Sequence, residues 1–153
     1  SPALPKPVQR PRPPIILGGF GTKKTPRLAA RFADEFNMPF APASYLVEGF
    51  GHVRSACETA GRDPDSLRYT ASAVVAVGTN QAEIDRRAVA SGQDPEIGRS
   101  IAAIGTPAEV VDRIREFEKA GAETVYLQYH TLDEPEHLEL IAAEVMPHVG
   151  GAA

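Results

Sequence analysis

The residues best suited to chemistry lie in Pro13-Pro14-Ile15-Ile16-Leu17-Gly18-Gly19-Phe20-Gly21-Thr22-Lys23-Lys24-Thr25-Pro26. The order is a short apolar run, a glycine-rich turn and a helix start, which is the order that holds a phosphate. Glycines let the backbone approach an anion, and the first turn of a helix offers unpaired N–H groups and partial positive charge. Gly18, Gly19, Phe20, Gly21, Thr22 and Lys23 are the candidate binding residues, with the amides of Gly19, Gly21 and Thr22 carrying the contacts. Lys23 adds attraction, and Lys24 reads as solvated charge. A second group, Phe36 and Asn37, falls where a strand is expected to end and is suited to substrate contacts. A third, Gln128, Tyr129 and His130, closes the last expected strand. Gln128 and Tyr129 can orient a ligand, and His130 is a candidate proton carrier because imidazole titrates near neutrality. His52, His137 and His148 fall on or beside helices and read as surface residues. Cys57 lies on an apolar helical stripe and reads as core. No Cys/His/carboxylate spacing indicates a metal, and no serine sits in a nucleophile-elbow context. Asp112, Glu116, Glu118, Glu136 and Glu139 read as solvated helix faces.

These residues need a scaffold, and 153 residues suffice for one domain with a core. Hydrophobic residues are 42% and charged residues 24%, values ordinary for a globular protein. The net charge of −4, without a long basic run, argues against a nucleic-acid partner. No apolar run reaches the length of a membrane span. The one cysteine excludes an internal disulfide and points to a reducing, cytoplasmic setting.

Residues 1–14 contain six prolines and are expected to form an extended arm. The chain does not begin with Met and reads as the middle of something longer. A domain over residues 15–149 follows, with residues 150–153 as a disordered tail. Within it, strands are expected at residues 15–17, 35–38, 69–77 and 124–129. Helices are expected from Pro26, capped by Thr25; from Ser44 to Gly61; over 81–90; from Pro107 to Gly121; and over 135–146. Their inward stripes are Leu28, Ala29, Phe32 and Ala33; Leu46, Phe50, Val53 and Cys57; Val110, Val111, Ile114 and Phe117; and Leu138, Ile141 and Val145. Gly49 and Gly51 weigh against the second helix. Thr106-Pro107-Ala108-Glu109 is a capping box, and Glu109 can pair with Arg113. Residues 92–104 read as loop with room for a short helix. Four strands, each followed by helix, give a parallel sheet with right-handed crossovers, either an open doubly wound sheet or part of a closed barrel.

Pro-Lys-Pro-Val-Gln-Arg-Pro-Arg-Pro-Pro-Ile-Ile-Leu-Gly-Gly at residues 5–19 resembles the middle of luciferase-like flavin- and deazaflavin-dependent oxidoreductases. The match continues through Thr25-Pro26-Arg27-Leu28-Ala29-Ala30-Arg31-Phe32-Ala33-Asp34, Gly105-Thr106-Pro107-Ala108-Glu109-Val110-Val111 and Val125-Tyr126-Leu127-Gln128. The resemblance implies a TIM (β/α)8 barrel that binds FMN or coenzyme F420 at the carboxyl ends of its strands. This chain would be its C-terminal half, strands five to eight, and would hold the cofactor phosphate. The absent half would supply many ring contacts and the acid/base groups.

Half a barrel exposes two edge strands and the apolar side chains that should fill the barrel centre. The expectation is therefore self-association, complementation by an N-terminal half-barrel, or a chain that is a fragment of a full enzyme. Three functions compete: a flavin- or F420-dependent oxidoreductase or monooxygenase, a non-catalytic half-barrel that assembles, and an open flavodoxin-like sheet holding a phosphorylated ligand. Strand order separates the last from the others, because a barrel half has no switch point.

Overall fold

Strand formation centres on Arg68–Val77, ten residues rich in β-branched and small side chains. A computed structural model describes residues 4–94 and 98–150. In it the sheet is built from β1 (Ile16–Gly18), β2 (Glu35–Pro39), β3 (Arg68–Val77), β4 (Ala103–Gly105) and β5 (Thr124–Gln128). The helices are α1 (Lys24–Phe32), α2 (Ala43–Thr59), α3 (Gln81–Ala90), α4 (Pro107–Lys119) and α5 (Pro135–Glu144).

All strand pairs are parallel: β1 with β2, β2 with β3, and β5 with β3 at Thr70–Thr124 to Val74–Gln128. The order β1-β2-β3-β5 follows the chain with no switch point, as the half-barrel requires and the doubly wound alternative does not. The short β4 was absent from the expected set. It lies at the end of the segment read as loop and pairs with Val75–Val77, beyond the reach of β5. Three residues between a 3₁₀ turn at Gly98–Ser100 and a capping box carry too little pattern to be recognised as a strand. The expected tail lies almost wholly outside the described residues, as do Pro2 of the arm and residues 95–97.

One face of the sheet packs on helices. Phe36, Met38, Tyr69, Ala71, Ala73, Val75 and Val77 meet the buried stripes of α2 and α4, which are the stripes the sequence indicates. Phe50 stands between Phe36 and Tyr69, edge-on to both. α2 runs through Gly49 because Met38 lies there, its sulfur 2.7 Å from where a Cβ would be. The stripes of α1 and α5 hold in part: Ala29, Ala33, Ile141 and Val145 are buried as expected, and Leu28, Phe32 and Leu138 are not. In α1 the alanines 29, 30 and 33 are buried, while Leu28 and Phe32 are exposed. In α5 the buried line is His137, Ile141 and Val145, and Leu138 points outward. Glu109 completes its capping box with Thr106, so Arg113 pairs with Glu116 instead.

The proline arm from Leu4 to Pro14 carries no helix or strand. It is tied down by Arg12, whose guanidinium forks onto Asp34; the same carboxylate accepts from the Ile15 amide at 2.7 Å. The Arg12 contact, then that amide, holds Asp34 down at about 2.

His137 is not a surface residue. It is fully buried at the end of β3, where its Nε2 accepts the Val77 N–H at 2.9 Å and its Nδ1–H donates to Thr131 Oγ1 at 2.8 Å. Arg87, also buried, donates to the Val77 carbonyl and to Glu134, which Arg86 also binds. Burial, then the Arg87 charge, pushes the His137 imidazole down to about 4. The imidazole is thus neutral when folded, and the unfolded chain takes up a proton there below the ordinary value near 6.5. Stability is full above that value and falls as pH drops toward 4, by up to about 3 kcal/mol. Urea unfolding of the wild type from pH 7.5 to 4.5 should show this slope, and His137→Gln should flatten it.

Candidate functional site

β1 delivers the glycine loop to the carboxyl rim of the sheet, and α1 begins immediately behind it. Gly19 has φ +138°, and its amide donates to the Asn37 carbonyl at 3.3 Å. That amide closes the turn onto β2 and is not available to an anion, contrary to the expectation from sequence. Beyond it the amides of Gly21 and Thr22 have no partner among the described residues, and both residues are exposed. A Cβ on Gly21 would fall 2.5 Å from Thr25 Oγ1, so the loop folds this tightly only around glycine. Thr25 is not the cap: α1 starts at Lys24, with Lys23 at the N-cap position and no side-chain cap. The freed Thr25 hydroxyl is half-buried beside Gly21 and joins the candidate donors. Phe20 stands outside the loop, 57% exposed.

α1 begins against the usual rules. Helix N-termini favour acidic side chains and a polar cap, yet this one has neither and carries Lys23 and Lys24. Amides, dipole and lysines all point the same way, toward an anion at the start of α1.

The other candidates scatter. Phe36 is buried on the helix side against Phe50 and does not face the rim. Strand alternation decides this, and β2 continues two residues past Asn37. Asn37 faces the uncovered side in mid-strand, where its Nδ2 donates to Thr70 Oγ1 at 3.0 Å and its Oδ1 accepts from Ser72 Oγ at 3.0 Å. Tyr129 turns back toward α5: its hydroxyl donates to the Glu134 carbonyl and its ring lies against His137. Gln128 and His130 remain exposed at the rim, His130 Nε2 lying 3.2 Å from Gln128 Oε1.

The uncovered face of the sheet differs from expectation. In place of apolar filling it carries a connected polar layer. Thr70 Oγ1 donates to Glu35 Oε1 at 2.8 Å, and the Tyr126 hydroxyl donates to the same oxygen at 2.9 Å. Asn37 and Ser72 extend the chain. Glu35 is 6% exposed and Thr70 fully buried. The bond to Glu35 raises the Tyr126 phenol above its usual value. The signal was present as Glu35/Asn37 and Thr70/Ser72, polar side chains two apart within strands, which share one face. Toward the carboxyl end, Val74 and Ala76 on this face are covered by Ile84, Ala88, Ala102 and Ile104. Among the described residues no group of three or more His, Cys, Asp or Glu is placed to hold a metal, and no helix is long and apolar enough to cross a membrane.

Four βα units in sequential parallel order, with a glycine loop after the first strand, have the architecture of part of a (β/α)8 barrel. The chain belongs to the luciferase-like monooxygenase family, whose model matches residues 2–95. No curated protein matches it. Among solved structures it is similar to an F420-dependent secondary alcohol dehydrogenase in complex with an F420–acetone adduct, with a TM-score of 0.76 at 16% identity over 90% of this chain and 49% of that one. The coenzyme F420-dependent tetrahydromethanopterin reductase of Methanopyrus kandleri aligns with a TM-score of 0.66 at 18% identity, over 90% of this chain and 51% of that one. The oxygenating constituent of 3,6-diketocamphane monooxygenase from the CAM plasmid of Pseudomonas putida, in complex with FMN, gives 0.66 at 22% identity, over 91% of this chain and 50% of that one. The chain thus spans about half the length of these structures.

The polar layer is testable through Thr70. Thr70→Val strands the Asn37 amide and removes a donor from Glu35, and should destabilise the chain by about 1–3 kcal/mol in urea unfolding.

Proposed function

We propose that this chain is the cofactor-phosphate-binding half of a flavin- or deazaflavin-dependent oxidoreductase of the luciferase-like type. The observation that carries the reading is the uncapped start of α1, with the unpartnered amides of Gly21 and Thr22 and the lysines beside them. The donor set fits a phosphate: backbone N–H groups, the Thr25 hydroxyl and a helix dipole, with no acidic side chain in the first turn. FMN or F420, when bound, supplies the hydride or electron chemistry. The chain's own residues bind and orient. Gly21, Thr22 and Thr25 hold the phosphate, Lys23 neutralises it, and Phe20 lies against the ligand. Gln128 and His130, exposed at the same rim, are the residues of this half that reach substrate. Asn37 acts indirectly, its carbonyl fixing Gly19 and its side chain the polar layer.

Membership of the family and the neighbours' cofactors support this reading. A second reading, a half-barrel that assembles without turnover, is favoured by the one-sided pairing of β1 and β5 among the described residues and by the half-length match. The polar layer suits assembly: Glu35, Asn37, Ser72 and Tyr126 would meet polar groups of a complementary half or a second copy.

Titration with FMN and with F420, followed by cofactor fluorescence, should show binding of at least one. Gly21→Val should weaken it by more than about tenfold, because the side chain collides with Thr25. Unchanged affinity in that variant refutes the phosphate assignment, and binding of neither cofactor leaves the assembly reading. Sedimentation at high concentration should show association, and a monodisperse monomer would count against the open edges as pairing surfaces.

A further inference from the structure

The end of β3 and the loop that leaves β5 are joined by two buried side chains from different helices. Arg87 of α3 donates to the Val77 carbonyl at 2.7 Å and, through Nε, to Glu134 Oε2 at 3.0 Å. His137 of α5 accepts the Val77 N–H at 2.9 Å, and its other ring nitrogen lies 2.8 Å from Thr131 Oγ1. Each side chain thus bonds the same strand residue at one end and the same loop at the other. Residues 130–134 carry no helix or strand. Beyond its own flanks, this loop is hydrogen-bonded among the described residues only to Arg86, Arg87 and His137. Thr131 is buried, while His130, Leu132 and Asp133 around it are exposed. The loop is therefore anchored at Thr131 and Glu134 and otherwise lies in solvent.

We propose that His137 and Arg87 are positioning residues that latch this rim loop to β3, and that protonation of His137 opens the latch and frees the loop that carries His130. The inference rests on the proposed function only in treating His130 as a residue that reaches substrate. Its chemistry lies in which nitrogen holds the proton. Nε2 accepts only in the neutral ring. Protonated, it faces the Val77 N–H donor to donor, and the bond is lost. The surrounding groups do not offset this. Arg87 and Arg86 of α3 disfavour a charged ring, Glu134 of the loop favours it, and the Tyr129 ring lies 5.1 Å away. Glu134 is engaged by both arginines, and Glu83, on the same helix as Arg87, lies 3.7 Å from it. Neither acid is free to hold an imidazolium in place, so the ring takes its proton by leaving Val77, and Thr131 goes with it. Arg87 stays charged throughout and keeps Glu134. One half of the latch therefore titrates and the other does not, which confines the opening to the rim.

The test follows single-amide hydrogen exchange by NMR in the full chain between about pH 7 and about pH 5, each rate divided by its intrinsic value. A ring that ionises near the ordinary 6.5 when released and at about 4 when latched raises the opening constant roughly twentyfold over that interval. The Val77 N–H, bonded to His137, and the Glu134 N–H, bonded to the Thr131 carbonyl, should follow it. Both should be less protected than Val53 in the core of α2 and depend little on urea. His137→Gln keeps an acceptor that does not titrate, so it should preserve the protection at neutral pH and remove the pH dependence. Thr131→Val removes only the loop side, and should speed Glu134 exchange about tenfold at neutral pH with Val77 still protected. This pattern upholds the latch whether or not FMN or F420 binds. Exchange at Val77 and Glu134 that ignores pH, that responds equally in His137→Gln, or that occurs only together with Val53 by global unfolding overturns it, even where a cofactor binds.

Discussion

The fold depends on satisfying the backbone of one long strand. β3 is twice the length of β2 or β5, so neither neighbour can cover it alone. β2 takes Arg68 to Ser72, β5 takes Thr70 to Val74, and β4 takes Val75 to Val77. The last residue still has a buried N–H and C=O at the sheet's carboxyl end. His137 accepts the first and Arg87 donates to the second. Leaving either group unpaired in that dry position costs on the order of 1–3 kcal/mol. The buried imidazole, the buried guanidinium and the extra strand β4 follow from that constraint.

The same accounting explains why the two faces of the sheet differ. The helix side is an apolar core organised by Phe50 between Phe36 and Tyr69. The other side holds the Glu35 carboxylate with two hydroxyl donors on one of its oxygens, and the Asn37 amide bridging Thr70 and Ser72. An apolar face left without a neighbour favours association, whereas here the polar groups of this face are satisfied by one another.

The composition of α1 sets how closely it packs and where its charge lies. Its buried side consists of small alanines, which let it lie close to the sheet and to α2. Its exposed positions carry Lys24, Arg27 and Arg31 beside Leu28 and Phe32, and no acidic residue. The helix contributes little apolar burial of its own, and its charged side chains are exposed.

Much of this was legible from residue order. Alternation of strand and helix, the stripes of α2 and α4, the Thr106 capping box and the glycine loop after the first strand are local patterns that tertiary contacts did not override. The family's motifs were readable for the same reason. The sequence could not show which side of β2 Phe36 takes, that Gly19 spends its amide on Asn37, or that His137 is core. Each depends on a partner about twenty to sixty residues away. A histidine on a helix has the same local appearance whether its neighbour is water or the end of a strand. Only the packing of α5 against β3 removed the water and settled its protonation state.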